Sequence, residues 1–375
     1  MQVVTLGCRL NHAESARLAA ELDLSGTVLV NTCAVTAEAV RHSRRAVRVA
    51  RRSGATVIAT GCAATIDPAG FAALADRVIP NAEKPEGIFV PPRGGAANHT
   101  RAFVPVQNGC DHSCTFCIIP QGRGPSRSRP ITEVVDEITA LAEVGIAEVV
   151  LTGVDLTSYD RPSLGALVAA ILRGVPALPR LRLSSLDGIE IDPLLFELLT
   201  QEPRVMPHVH LSLQSGDDMV LKRMKRRHSR GQAIDLVERL KAARPGIAIG
   251  ADLIAGFPTE TAEMHDANRS IIDACDVVHG HVFPYSPRPG TPAARMPQVD
   301  PVLVRERAAE LRAAVTARRE RWLTRHLGTR HAVLAERDGT GHAPDFARFA
   351  LPPGTAPGSI VELTATALTD GLLAA

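Results

Sequence analysis

The chain has 375 residues, 45% of them hydrophobic and 22% charged, with a net charge of only +2. That length and composition bury a real core and exclude a disordered or fibrous chain, and the near-neutral total implies no global attraction to nucleic acid. The amino terminus, MQVVTLGCRLNHAES, lacks a basic region followed by an apolar stretch, and no apolar run approaches membrane-spanning length, so a cytoplasmic chain without a membrane partner is expected.

The first region, residues 1–92, repeats one unit, an apolar run ending in cysteine: VVTLGC at Cys8, VLVNTC at Cys33 and VIATGC at Cys62. The β-branched runs suit buried strands, and the segments between them, Ala13 to Leu22 and Ala37 to Arg52, suit helices. Strand alternating with helix implies a parallel sheet with right-handed crossovers, which carries all three cysteines to its carboxyl edge. The alternative for the three thiols is a place in the core as small hydrophobes.

VPPRGGAANHT, residues 90–100, reads as a linker. Over residues 101–325 six strand signals alternate with helical patterns: AFVPVQNG, EVVLTG, LRLSSL, HVHLSLQSG, IAIGADLIAGFP and DVVHGHVFPYS. This α/β pattern predicts a partly open (β/α)6 barrel, with Cys110, Gly153, Gln214 and Gly256 at or just after strand ends on the catalytic face. The arginine-rich stretch RERAAELRAAVTARRERWLTRHLG closes it as a helix near Gly328. Residues 329–375 then read as a small antiparallel β-barrel, with HAVLAER, DFARFAL and SIVELTATAL as short strands and DGTGHAP and PPGTAPG as the loops between them.

NGCDHSCTFCIIPQGRGPSRS, residues 108–128, holds Cys110, Cys114 and Cys117 in C-x3-C-x2-C spacing. A structural zinc site wants four protein ligands, which here would need a distant histidine. A 4Fe-4S cluster on three thiolates instead leaves one iron open to an external ligand. The remaining cysteine, Cys275, lies in an apolar stretch without a partner and is assigned to the core.

The triple-cysteine spacing, with Phe116 before the last cysteine, resembles the signature of radical S-adenosylmethionine enzymes. The resemblance implies a cluster on Cys110, Cys114 and Cys117 whose open iron chelates S-adenosylmethionine and whose electron cleaves it to a 5'-deoxyadenosyl radical. It also implies cofactor contacts at Phe116, Gly153, Gln214 and Ser215 in LSLQSG, and Asp252 and Gly256 in GADLIAGFPTE. With the three-cysteine first region and the terminal module, the whole chain looks like the methylthiotransferases, whose first domain carries a second 4Fe-4S cluster and whose last is a TRAM domain. Cys8, Cys33 and Cys62 would hold that auxiliary, sulfur-bearing cluster. LGCRLNHAES, NTCAVT, GCDHSCTFCIIPQGRGPSRS and FPYSPRPGTPAA most resemble the branch that methylthiolates C2 of N6-threonylcarbamoyladenosine beside the anticodon of tRNA. Other branches act on isopentenyladenosine in tRNA or on an aspartate of a ribosomal protein. The family further implies an electron donor such as a flavodoxin or ferredoxin.

An RNA substrate fits the local basic stretches, and nothing points to DNA. Arg41 to Arg52 contains six arginines and no acid, with Arg41, Arg45, Arg48 and Arg52 at helical spacing, and Arg123 and Arg127 sit in the glycine-rich loop. LKRMKRRHSR, residues 221–230, adds six basic residues. The terminal module is acidic by contrast, with Arg330, Arg337 and Arg348 against Glu336, Asp338, Asp345, Glu362 and Asp370. A different class of function, a non-catalytic iron-sulfur electron carrier or redox sensor, would explain the cysteines but not the barrel.

Overall fold

The computed structural model describes residues 2–22, 25–89 and 100–375, so the linker at 90–100 lies outside it except for Thr100. The first unit runs β1 (Gln2–Thr5), α1 (Arg9–Glu21), β2 (Thr27–Thr32), α2 (Ala37–Arg52), β3 (Thr56–Gly61), α3 (Cys62–Ile66), α4 (Pro68–Ala72) and β4 (Arg77–Ile79). Its four strands are parallel and adjacent in sequence order. β2 and β3 are buried after their first residue, which is why both read as continuous apolar runs. α1 begins four residues earlier than the apolar pattern suggested, capped by Cys8 itself. α2 has the predicted bounds: Thr36 Oγ1 accepts from Ala39 N at 3.0 Å, and Ser43, Val47 and Ala50 form its buried stripe.

The second unit runs β5 (Arg101–Pro105), β6 (Gln107–Asn108), α5 (Ile119–Arg123), β7 (Arg127–Ser128), α6 (Ile131–Glu143), β8 (Glu148–Thr152), α7 (Leu164–Gly174), β9 (Arg180–Leu183), α8 (Pro193–Gln201), β10 (His208–Gln214), α9 (Asp218–Met224), α10 (Arg230–Ala243), β11 (Ala248–Ala255), α11 (Ala262–Ala274), β12 (Val277–Pro284) and α12 (Pro301–Thr324). β5, β8 and β9 form one parallel ladder and β10, β11 and β12 another, joined by bridges at Leu181–Val205 and Leu186–Leu211. Six parallel strands thus make an open arc. α1 of the first unit packs along its edge strand β5, and α12 packs on β11 and β12.

Alternate strand positions divide the residues sharply. Val149, Leu151, Leu181, Leu183, Val209, Leu211, Ala251 and Leu253 join the apolar core shared with the helices. Many inward positions are instead polar: Glu148, Arg180, Arg182, His208, His210, Asp252, His279 and His281. A filled barrel would carry branched apolar residues there.

The terminal unit has β13 (Arg330–Ala335), β14 (Thr340–His342), β15 (Arg348–Ala350), β16 (Ile360–Thr364), β17 (Ala367–Thr369) and β18 (Leu372–Ala374) in the order β16-β13-β14-β15-β18-β17. The pairs are antiparallel except β15 with β18, which meet in parallel at Phe349 and Leu373. DGTGHAP is therefore not only a loop: Glu336 N donates to Thr340 O at 2.7 Å, closing a hairpin that makes Thr340–His342 a strand. The unit packs on the strand beginnings, its core including Ala248, Val278 and Trp322. Phe346, in a left-handed backbone conformation, enters the barrel between His208, at 5.1 Å, and Arg182, at 4.5 Å.

Candidate active site

Each strand of the first sheet that ends at a cysteine delivers it to the same edge: Cys8 caps α1, Cys33 follows β2, and Cys62 opens α3. They lie close enough for a charge on one to oppose ionisation of another. Burial pushes the Cys8 and Cys33 thiols up, although Cys8 keeps an exposed surface.

Cys110, Cys114 and Cys117 occupy the loop after β6. The loop is fixed by backbone bonds: Thr115 N donates to Met224 O at 3.1 Å, Ala293 N to Thr115 O at 2.9 Å and Cys110 N to Gly124 O at 3.1 Å. Gly109 has φ of 76°, and a Cβ there would stand 1.8 Å from Pro125 O, so only glycine fits. Burial lifts the Cys110 thiol to about 12 and the Cys117 thiol to about 11, while the backbone N–H groups of His112 and Ile119 approach these sulfurs at 3.5 and 3.4 Å and favour their charged forms. Arg226 Nη1 lies 3.7 Å from Cys114 Sγ. His112 Nε2 is 2.7 Å from Asp155 and 3.0 Å from Arg227, so this nitrogen, although near Cys110, is already engaged.

The two triads face each other, with Cys62 near enough to Cys117 to hinder its ionisation. Gly122 explains how: a Cβ there would come within 3.2 Å of Cys62 Cβ, so the missing side chain lets α5 meet α3. Arg123 Nε donates to Cys62 Sγ at 3.2 Å, and Asn81 Nδ2 lies 3.7 Å from the same sulfur while donating to Gly122 O at 2.6 Å. Behind them Glu14 pairs with both Arg123 and Lys84, all three largely out of solvent.

Arg123 therefore corrects the expectation of a phosphate contact: it is 4% exposed, and Glu14 and Cys62 hold it charged against its burial. Arg127 is exposed at the rim, 3.3 Å from Glu86. Arg41, Arg45, Arg48 and Arg52 are exposed on α2 and, among the described residues, have no ion pair. LKRMKRRHSR is not the patch its composition implied: Arg226 and Arg227 bind Asp187 at 2.9 and 3.1 Å, and Arg230 donates to Gly216 O and Ala267 O.

Among the expected cofactor contacts, Phe116 packs edge-to-face on Phe257 at 6.3 Å, beside Gly256 at the end of β11. Gly153 follows β8, where Gln107 Oε1 accepts from Val154 N and Asp155 N at 3.0 and 2.9 Å. Gln214, in a left-handed conformation, and buried Ser215 end β10. Asp252 stands apart, midway along β11 inside the barrel, 3.1 Å from both His210 Nε2 and His281 Nδ1. Cys275 is wholly buried. Composition and spacing did not single out Asn81, Glu14 or Arg288, and offered Arg226 only as part of a basic stretch; Arg288 is buried beside Cys33 with no hydrogen-bond partner for Nε among the described residues.

An open parallel barrel with a three-cysteine loop after its first strand defines the radical S-adenosylmethionine class, and the profile of the Radical SAM superfamily matches residues 104–270. Residues 1–79 match the family described as uncharacterized protein family UPF0004. The chain is 41% identical to the threonylcarbamoyladenosine tRNA methylthiotransferase MtaB of Rickettsia prowazekii, over 99% of this chain and 96% of that one. It is 31% identical to the protein of that name from Thermotoga maritima, over 90% and 86% of the two chains. It is 36% identical to the tRNA-2-methylthio-N(6)-dimethylallyladenosine synthase of Anaeromyxobacter dehalogenans, over 78% and 72%. The fold is also similar to that of the radical S-adenosylmethionine methyltransferase TsrM from Kitasatospora setae, with a TM-score of 0.56 and 19% identity over 72% of this chain and 64% of that one. The chain belongs to the methylthiotransferase family of radical S-adenosylmethionine enzymes. No described helix is long and apolar enough to cross a membrane.

Proposed function

We propose that this enzyme methylthiolates C2 of N6-threonylcarbamoyladenosine next to the anticodon of tRNA, using S-adenosylmethionine and two 4Fe-4S clusters, one on Cys110, Cys114 and Cys117 and one on Cys8, Cys33 and Cys62. The observation that carries this reading is the meeting of the two thiol triads across one seam, with Arg123 of the second loop on Cys62 of the first. Two sets of three soft donors, each on its own unit of the chain, suit clusters with an open iron better than closed zinc sites. The radical-generating cluster, when bound, supplies the electron that cleaves S-adenosylmethionine, and the auxiliary cluster supplies the sulfur, because the adenine C2–H has no leaving group and resists polar substitution.

The chain's own residues provide the setting. Raised thiol pKa values mean that protons must leave these sulfurs as iron binds. Donors then wait at each triad to stabilise sulfur charge: Arg123 and Asn81 at Cys62, the His112 and Ile119 amides at Cys110 and Cys117, and Arg226 at Cys114. The terminal unit, with Glu336 turned to Arg101 and His342 and Asp345 to His326, acts as a support of the barrel in this reading.

The likeness to the Anaeromyxobacter dehalogenans enzyme favours dimethylallyladenosine as a second reading, over a smaller share of the chain. Mass spectrometry of tRNA nucleosides from a deletion strain tests both. N6-threonylcarbamoyladenosine should persist while its 2-methylthio derivative disappears; selective loss of the methylthio-dimethylallyl nucleoside would instead establish the second reading.

A further inference from the structure

Inside the barrel the charges pair off with one exception. Arg182 holds Glu148 through Nε and Nη2 at 3.0 and 3.2 Å, Arg101 Nε lies 3.0 Å from Glu336, and Asp252 is engaged by His210 and His281. Arg9, directly after Cys8, extends toward the same interior, with its guanidinium carbon 5.9 Å from the Phe346 ring centroid. Among the described residues it has no hydrogen-bond or ion-pair partner. It faces the like charges of Arg101 and Arg182, and the acids on the same interior, Glu148 and Asp252, are both already engaged. A half-buried guanidinium that faces two like charges and has no partner is suited to take an anion. There is room for one: His281 sits at an inward strand position, yet its side chain is 63% exposed.

We infer that Arg9 recognises the free carboxylate of the threonylcarbamoyl group, a specificity contact that rests on the substrate reading above. The threonyl part of that group ends in a carboxylate, whereas a dimethylallyl group is pure hydrocarbon. C2 and C6 of adenine flank N1 on one edge of the ring, so a residue next to Cys8 that grips the N6 substituent turns C2 toward the three thiols of the first triad. α1, which carries Arg9, is anchored by the bonds of Asn11 and Glu14 to Arg123, so the grip and the sulfur site are fixed to one another. The competing source of the same chemistry is the carboxylate of S-adenosylmethionine.

The test uses full-length protein with its clusters reconstituted and no reductant, so that binding is read without turnover. An anticodon stem-loop RNA carrying N6-threonylcarbamoyladenosine is compared with the same RNA in which the threonyl carboxylate is a methyl ester. For the wild type, esterification should weaken binding about 10- to 100-fold, the range for a hydrogen bond to a charged group. Arg9→Gln should bind both RNAs with the affinity the wild type has for the ester, and Arg9→Lys should keep part of the preference. No ester penalty in the wild type overturns the proposal even should Arg9→Gln fold poorly. A penalty unchanged in Arg9→Gln, or a loss of S-adenosylmethionine affinity in its place, overturns it too and assigns the carboxylate elsewhere. The substrate reading fails by a different result: wild-type enzyme that, once reduced, leaves the threonylcarbamoyl RNA unmodified.

Discussion

Arg123 Nε lies 3.2 Å from Cys62 Sγ, and the same guanidinium is paired with Glu14. One side chain at the end of α5 thus closes the seam against two helices of the first unit, α1 and α3, where both charges are largely out of solvent. The seam is consequently a mechanical joint between the two cysteine triads as well as a packing contact.

Replacing Arg123 with Met should leave Glu14 with only Lys84 as a cation, and removing one partner of a buried pair costs about 3–5 kcal/mol. Chemical denaturation should show that loss, while the salt dependence of tRNA binding stays at its wild-type slope. A flatter slope without destabilisation would return Arg123 to the RNA surface.

Anaerobically reconstituted protein should bind about eight irons, four for each triad. Joint replacement of Cys8, Cys33 and Cys62 by Ala should lower iron to about four and leave reductive cleavage of S-adenosylmethionine measurable. Iron near four in the wild type, unmoved by that replacement, would remove the auxiliary cluster.

Cys114→Ala should have the reverse effect, because two thiolates hold a cluster poorly. Production of 5'-deoxyadenosine should fall to background while the iron held by the first triad remains. Arg226→Gln, which removes the donor 3.7 Å from Cys114 Sγ along with the ion pair to Asp187, should keep the cluster but shift its reduction potential.

The sequence made the cysteine triads readable because a strand that ends at a cysteine places the thiol whatever happens elsewhere. It could not make Arg123 readable. A basic residue among glycines resembles a phosphate loop, and its burial depends on Glu14, 109 residues away. Arg226 and Arg230 misled for the same reason, since their partners Asp187, Gly216 and Ala267 come from other elements. The polar barrel interior was visible in HVH and HGH, where histidine alternates on the two strands that flank β11, but that pattern also suits a solvated sheet face. β14 escaped because a three-residue strand with a central glycine carries almost no β signal.

The terminal unit should loosen as pH rises. Burial works against charging His326, but the Asp345 carboxylate 2.6 Å away more than offsets it, so the folded pKa lies above the usual 6.5. The stabilisation is then fully present below about pH 6.5 and is lost as pH rises through the folded value. Asp345, held below its ordinary range despite burial, sets the acid limit in the opposite sense. Hydrogen-exchange protection of residues 343–349 should fall between about pH 6 and 9 in the wild type, and His326→Gln should show the lower protection at both values.

The electrostatic hold on tRNA should come from α2. Arg41, Arg45, Arg48 and Arg52 lie along one exposed stripe, whereas Arg123, Arg226 and Arg230 are spent on internal partners and the terminal unit is net acidic. The stripe also sits on the helix that follows the Cys33 loop, with Ala37 N donating to Ser286 Oγ at 3.0 Å, so RNA held there approaches the seam between the triads. Each phosphate contact removed should reduce the slope of log affinity against log salt by roughly one unit, whatever the RNA sequence. Changing Arg45, Arg48 and Arg52 to Ala should therefore weaken tRNA binding and flatten its salt dependence by up to about three units, with iron content and thermal stability unchanged because these side chains contribute no internal ion pair. Wild-type affinity and slope in the triple variant would show the stripe to be merely solvated and move the search to Arg127, Lys222 and Lys225, which are exposed nearer the cysteine loop.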